Sequence, residues 1–246
     1  MLTKYAEREK GVVELLMNSD HQLSRRQLLQ LGLTATAAGF LTGGLELAFP
    51  SLTHAQSNLT PDAALTTLME GNKRFTAGRL SAHEQDLTIL RQHTEEKQEP
   101  FAAVLSCADS RVPVELIFDQ SIGHIFATRV AGNVITPEII GSLEYGAAVL
   151  GTKVIVVMGH SNCGAVKATI QGKEVPGQIS ALFPHIQPGV NQGGSDLASA
   201  TKANAKIQAT LLRESSTVIS GLVKSGSVKV MAAYYDLGSG ALTLLE

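Results

Sequence analysis

Four short apolar runs constrain the fold of this chain more than any other feature. They lie at 101–106, 124–130, 154–159 and 228–234. They are apolar along most of their length rather than at alternate positions. A strand apolar on both sides is covered on both sides, which is the pattern of a parallel sheet flanked by helices. Helical segments separate the runs, as a parallel sheet requires. Thr136-Pro137-Glu138 caps a helix ending near Gly151, 163–171 opens a short helix, and Ser195-Asp196 starts a long Ala/Leu/Val-rich helix ending near Gly226. Leu242 to Leu245 reads as an edge strand. Ahead of the sheet, Thr60-Pro61-Asp62 is a helix start, and Leu65, Leu68, Met69 and Phe75 form an apolar stripe up to Gly78. Residues 86–97 are polar and predict a second, exposed helix. The expected fold class is α/β: a central, mainly parallel β-sheet of four strands plus an edge strand, flanked by helices, with an N-terminal helical arm suited to packing on another subunit. Residues 171–194 are rich in Pro and Gly and read as a long loop that could wall a pocket.

The N-terminal 55 residues read differently from the rest. Ser24-Arg25-Arg26-Gln27-Leu28-Leu29-Gln30 resembles a twin-arginine export signal. Thr53-His54-Ala55 then offers small residues before a cut. The expected organisation is a cleaved signal over 1–55 and a single domain over 56–246, placed in the periplasm or an equivalent space outside the cytoplasm. Two other readings remain open: an Arg-Arg pair before an amphipathic helix, and a retained anchor. Glu46 and the glycines make the segment a poor membrane span, so any membrane contact is expected only through this segment if uncleaved. Net charge is −2 with no basic block, which argues against nucleic acid as a partner.

The chemistry gathers at two stretches, Cys107-Ala108-Asp109-Ser110-Arg111 and His160-Ser161-Asn162-Cys163-Gly164. Cys107 and Cys163 are the only cysteines in the chain. Each stretch follows an apolar run, and ligands of such sheets bind beyond the carboxyl ends of the strands. Two thiolates and an imidazole meeting there can hold one zinc ion and leave a fourth tetrahedral position for water or a carboxylate. An H-x-x-C spacing alone is a weak signal; together with the C-x-D-x-R stretch at a second strand end it is strong. Asp109 has two possible roles, as fourth ligand or as acceptor for a water on the metal. Arg111 is a fork of donors able to hold it off the metal. The cysteines could instead form one disulfide after export. Metal loading before export would protect them from that fate.

These motifs, C-A-D-S-R-V-P followed by H-S-N-C-G-A, resemble the signature of β-class carbonic anhydrases, and the match runs from about Thr60 to the C-terminus. The resemblance implies one zinc per subunit, bound by Cys107, His160 and Cys163, with Asp109 and Arg111 gating and orienting the water. It implies reversible hydration of CO2 to bicarbonate and a proton, by attack of zinc hydroxide on carbon. It further implies a plant-like, open pocket lined by Gln98, Phe126 and Tyr145. The family's closed type has Trp and Gly where this chain has Val104 and Ser106. The turn Ala131-Gly132-Asn133 and Gly164 also match. A homodimer or larger homo-oligomer is implied, with the pocket near the subunit interface. His124 and His185 are candidate proton shuttles. CS2 or COS as substrate, and a non-catalytic zinc protein with Asp109 as fourth ligand, are the alternatives.

Overall fold

The computed structural model describes residues 57–82 and 97–245. The expected signal over 1–55 and most of the expected helix over 86–97 lie outside the described residues. Helix α1 (Pro61–Thr76) begins where predicted: Thr60 is its N-cap, the Thr60 hydroxyl accepts from the Ala63 amide, and Pro61 opens the first turn. The chain continues through β1 (Ala102–Ser106), a single helical turn α2 (Val114–Ile117) and β2 (Ile125–Arg129). A 3-10 turn (Ala131–Asn133) leads to α3 (Pro137–Glu144), which widens into a π-turn (Tyr145–Val149) before β3 (Val154–His160). Then come α4 (Gly164–Gln171), a 3-10 segment (Gly177–Leu182), α5 (Phe183–Gly193), α6 (Leu197–Ser215), α7 (Thr217–Lys224), β4 (Lys229–Tyr235) and β5 (Leu242–Leu245).

The strands form one sheet in the order β2-β1-β3-β4-β5. The first four are parallel and β5 is antiparallel to β4. Residues of β1 and β3 are buried on both sides, and the two sides feed different cores. Ala102, Val104, Val154 and Val156 pack with α1 (Ala64, Leu68) and with Ile117 and Phe118. Ala103, Leu105, Ile155 and Val157 pack with Leu143 of α3, with Ala205, Ala209 and Leu212 of α6 and with Ile219 of α7. The period-two geometry of a strand therefore turns a continuous apolar run into two layers. A third, smaller cluster contains Cys107, Val134, Cys163, Val166, Ile186 and Ala200 and caps the carboxyl edge of the sheet.

Three expectations change. Helix α1 is seated on the chain's own sheet, with Ala64 and Leu68 fully buried, rather than standing out as an arm. The predicted loop over 171–194 contains a full helix, α5, despite Pro184 and Pro188. Its glycines serve packing: a Cβ on Gly189 would fall 2.7 Å from Asn204 Cα, and one on Gly193 2.3 Å from the Ala200 amide. The single long helix expected after Asp196 is two helices. Ser216 breaks them in an extended conformation, and its hydroxyl accepts from the Ile219 amide and donates to Glu144.

Candidate metal centre

Parallel pairing brings the two motifs together. Ser106 at the end of β1 is in register with Met158 of β3, so Cys107 and His160 emerge at the same edge. Two residues beyond β3 the chain turns through Asn162 at φ 54°. That turn places Cys163 as the N-cap residue of α4. The ligand atoms of Cys107, His160 and Cys163 all lie within 4.8 Å of one another. All three residues are buried, and both cysteines are free thiols.

The ring of His160 is oriented by its Nδ1, which lies 2.9 Å from the Ser161 carbonyl oxygen. A carbonyl only accepts, so Nδ1 carries the proton, which leaves Nε2 as the nitrogen placed to act as a ligand. Nε2 is buried and has no hydrogen-bond partner. An orphaned imidazole nitrogen costs free energy unless something fills its place. Facing two thiols, it fits a metal, and a donor set of two sulfurs and one nitrogen suits zinc. The carbonyl on Nδ1 is the outer partner that zinc-bound histidines characteristically have.

The thiols are readied for the same purpose. The neighbouring Cys163 S–H, against the opposing effect of burial, pulls the Cys107 thiol well below the ordinary thiol range. The Gly132 amide helps, donating to Cys107 Sγ at 3.4 Å. The Cys163 thiol is held high by the same contact with Cys107 and by burial, and the amides of Ala165 and Val166 at the start of α4 oppose this. The contact between the two sulfurs thus favours one thiolate beside one thiol, and a bound cation would favour the second thiolate as well. A Cβ on Gly164 would meet nothing within 4 Å, so crowding does not require a glycine there.

Asp109 lies beside the cluster, with Oδ2 3.8 Å from His160 Nε2. Arg111 grips it with both prongs: Nε to Oδ1 at 2.9 Å and Nη2 to Oδ2 at 2.8 Å. The Arg111 amide adds a third bond to Oδ1 at 2.9 Å. The Arg111 side chain holds the Asp109 carboxyl well below the usual carboxylate range, against a partial opposing effect of burial.

The expected pocket residues are partly assembled. Phe126 and Tyr145 approach with ring centroids 6.1 Å apart, and Tyr145 is 45% exposed. A Cβ on Gly146 would come within 3.0 Å of the Phe126 ring, so the small residue makes room for it. Tyr145 begins the π-turn, a distortion frequent at functional sites. Gln98 is exposed just ahead of β1. His124 precedes β2 and so sits at the amino edge, about 16 Å along the strand from the carboxyl edge at 3.3 Å per residue. That position removes it as a shuttle within its own chain. His185 is exposed on α5, next to Ile186, which packs in the cluster around the cysteines.

Comparison with known proteins decides the family. The carbonic anhydrase family profile matches residues 102–242. Carbonic anhydrase 2 of Mycobacterium tuberculosis is 35% identical over 197 residues, covering 77% of this chain and 95% of that protein. The chain belongs to the β-class carbonic anhydrase family. A carbonic anhydrase of Mycolicibacterium smegmatis is 34% identical, covering 76% of this chain and 94% of its own. A β-carbonic anhydrase structure from Aspergillus fumigatus shares the fold with a TM-score of 0.61 at 23% identity, covering 74% of this chain and 90% of that one. The family's metal is zinc, and Cys107, His160 and Cys163 form the cluster able to take it.

One residue that braces the centre carried no motif in the sequence. Arg129 ends β2, in register with Ser106, and donates from Nε to the Cys107 carbonyl at 3.1 Å and from Nη2 to the Asp109 carbonyl at 2.5 Å. A lone arginine closing an apolar run, next to the strand that feeds Cys107, was the available signal.

Proposed function

We propose that this β-carbonic anhydrase catalyses the reversible hydration of CO2 to bicarbonate and a proton, with one zinc per subunit on Cys107, His160 and Cys163. The observation that carries this reading is the Asp109 carboxylate, pinned by Arg111 only 3.8 Å from an unpartnered His160 Nε2 beside two buried thiols. When bound there, zinc lowers the pKa of a water to near 7 and so makes a nucleophile available at neutral pH. Asp109 and Arg111 set its use. Arg111 occupies one side of each carboxylate oxygen, which keeps Asp109 from turning inward as a fourth ligand. Oδ2 retains a free lone pair to accept a hydrogen bond from the attacking water, aiming the oxygen at carbon. The new C–O bond gives bicarbonate, and the proton passes to buffer. Phe126 and Tyr145 supply an apolar wall for CO2, and the Gln98 amide a donor for one of its oxygens.

Asp109 on Arg111 supports the open type, as do Val104 and Ser106, which fill β1 positions buried in the sheet. Activity should then decline smoothly as pH falls, and steep cooperative loss would contradict this part. A homodimer or larger assembly accounts for Tyr145 lying exposed; sedimentation of the zinc-loaded protein measures it. The twin-arginine-like segment supports export, and a reporter fused to residues 1–60 locates it. Stopped-flow CO2 hydration at pH 8 tests the central claim. A rate equal to that of the zinc-free protein would overturn it.

A further inference from the structure

We infer that Arg129 is a positioning residue that keeps the fourth metal position open, acting through the backbone of the Cys107–Asp109 turn. This rests on the catalytic reading above and deepens it. The turn has two tasks that conflict. It must bring Cys107 inward as a ligand, yet hold Asp109, two residues on, from following it. The side chain of Asp109 is held by Arg111, but the Arg111 side chain is itself 54% exposed. Beyond its own turn it reaches, among the described residues, the Asn162 carbonyl through a long Nη2 bond of 3.5 Å. An Arg111–Asp109 pair on a loose turn could swing inward as a unit.

Arg129 removes that freedom. Its guanidinium spans the turn from behind, donating to the carbonyls of Cys107 and Asp109 and so bracketing Ala108. The planar fork fixes the relation between these two carbonyls, which a single point donor cannot do. The anchor is rigid: Arg129 is the last residue of β2, paired with Ser106 of β1. The Val130 amide donates to the Ser106 carbonyl at 3.1 Å, continuing the ladder past the strand end. The same connection leads to Gly132, whose amide holds Cys107 Sγ. One strand end thus sets the sulfur, the turn carbonyls and, through them, the direction of Asp109.

The test compares Arg129→Ala and Arg129→Lys with wild type, each loaded with cobalt(II) and with zinc. Cobalt absorption reports the number and kind of donors without turnover. In Arg129→Ala the spectrum should shift toward a closed set containing a carboxylate, and should no longer respond to iodide or thiocyanate at concentrations that perturb wild type. Metal stoichiometry should stay at one per chain, while zinc-enzyme kcat falls about 10-fold or more. Arg129→Lys, with one point donor, should fall between. The double variant Arg129→Ala/Asp109→Ala should regain the anion response, because no carboxylate remains to close the site. An unchanged cobalt spectrum with unchanged anion response in Arg129→Ala would overturn the inference, as would failure of the double variant to recover. If Arg129→Ala does not fold, the same spectra on Arg129→Lys decide. A wild type inactive toward CO2 but with an anion-responsive spectrum would sink the function and leave this inference standing.

Discussion

At the scale of single residues, the centre depends on which groups are left unsatisfied. His160 Nε2 is buried without a partner while Nδ1 is tied to a carbonyl, so the ring is oriented before metal arrives. Asp109 is the opposite case, with three donors from Arg111 on its two oxygens. Replacing it by Asn keeps the shape but puts an NH2 against the Arg111 donors and removes the charge that orients the water. Asp109→Asn should retain one zinc per chain and lose about 10²- to 10⁴-fold in kcat. Metal analysis beside stopped-flow hydration checks both halves; a variant of normal rate would mean that the carboxylate is idle. Cys163→Ser removes one of the two buried thiolate donors, and metal analysis after dialysis should find well under one zinc per chain.

At the scale of elements, two features of the scaffold are decisive. The first is Asp119, buried at the end of the segment after α2 with φ 45°. It receives Arg74 Nε of α1 at 2.5 Å, the amides of Ser81 and Ala82 at 3.0 Å each, and the Ser81 hydroxyl at 3.1 Å. Burial pushes its carboxyl up, but the Ala82 and Ser81 amides and Arg74 outweigh it and hold the carboxyl at about 2. A carboxyl depressed in the folded state stabilises it above the unfolded pKa of about 3.9, and the contribution fades as pH falls toward 2. The fall from about 3.9 to about 2 corresponds to about 2–3 kcal/mol. Urea unfolding of Asp119→Asn should show a loss of that order at pH 7, shrinking toward zero below pH 3. The second feature is the contact of α5 with α6. Gly189→Ala would drive a Cβ to 2.7 Å from the backbone of Asn204, which cannot move aside as a side chain could. Asn204 donates to the Gly132 carbonyl at 2.9 Å, and Gln208 one turn on accepts from the Ile135 amide at 2.7 Å. The shift would therefore reach the turn behind Cys107, and calorimetry should find a cost of about 1–3 kcal/mol.

These elements also show what could be read in advance. Strands β1 and β3 were legible because their apolar runs carry two faces' worth of core. By contrast, β2 is buried only at Ile125 and β4 only in part, so the expectation of two covered faces holds for the centre of the sheet and not for all four runs. The cysteines and His160 were legible because strand ends at one edge of a parallel sheet converge. Helix α5 was not legible: its prolines and glycines are common loop residues, and only the approach of α6 to Gly189 and Gly193 gives those glycines a different purpose. The break at Ser216 was hidden for a similar reason. A serine inside an Ala/Leu/Val-rich stretch draws no notice until its hydroxyl is seen capping Ile219 and bonding Glu144. Arg129 escaped because its role is to backbone carbonyls, which leave no residue pattern.

At the scale of the whole molecule, the metal centre is also a fastener. Cys107 follows β1, His160 ends β3 and Cys163 caps α4, so a single ion joins the ends of two central strands to the helix that starts at the carboxyl edge of the sheet. Without it the carboxyl edge keeps two buried sulfurs and an unpartnered imidazole nitrogen in a small apolar cluster. A ligand that binds only the folded state stabilises it by RT ln(1 + [L]/Kd), about 2.7 kcal/mol at 100-fold excess over Kd. In a domain of this size each kcal/mol moves the midpoint by about 2–4 °C. Stripping zinc with a chelator should lower Tm by about 5–10 °C, and returning one equivalent per chain should restore it. The His160→Ala variant should show a much smaller zinc response at the same concentrations. Equal midpoints for stripped and loaded wild type would mean that the edge is held by its apolar cluster alone, and that the ion serves chemistry without serving the fold.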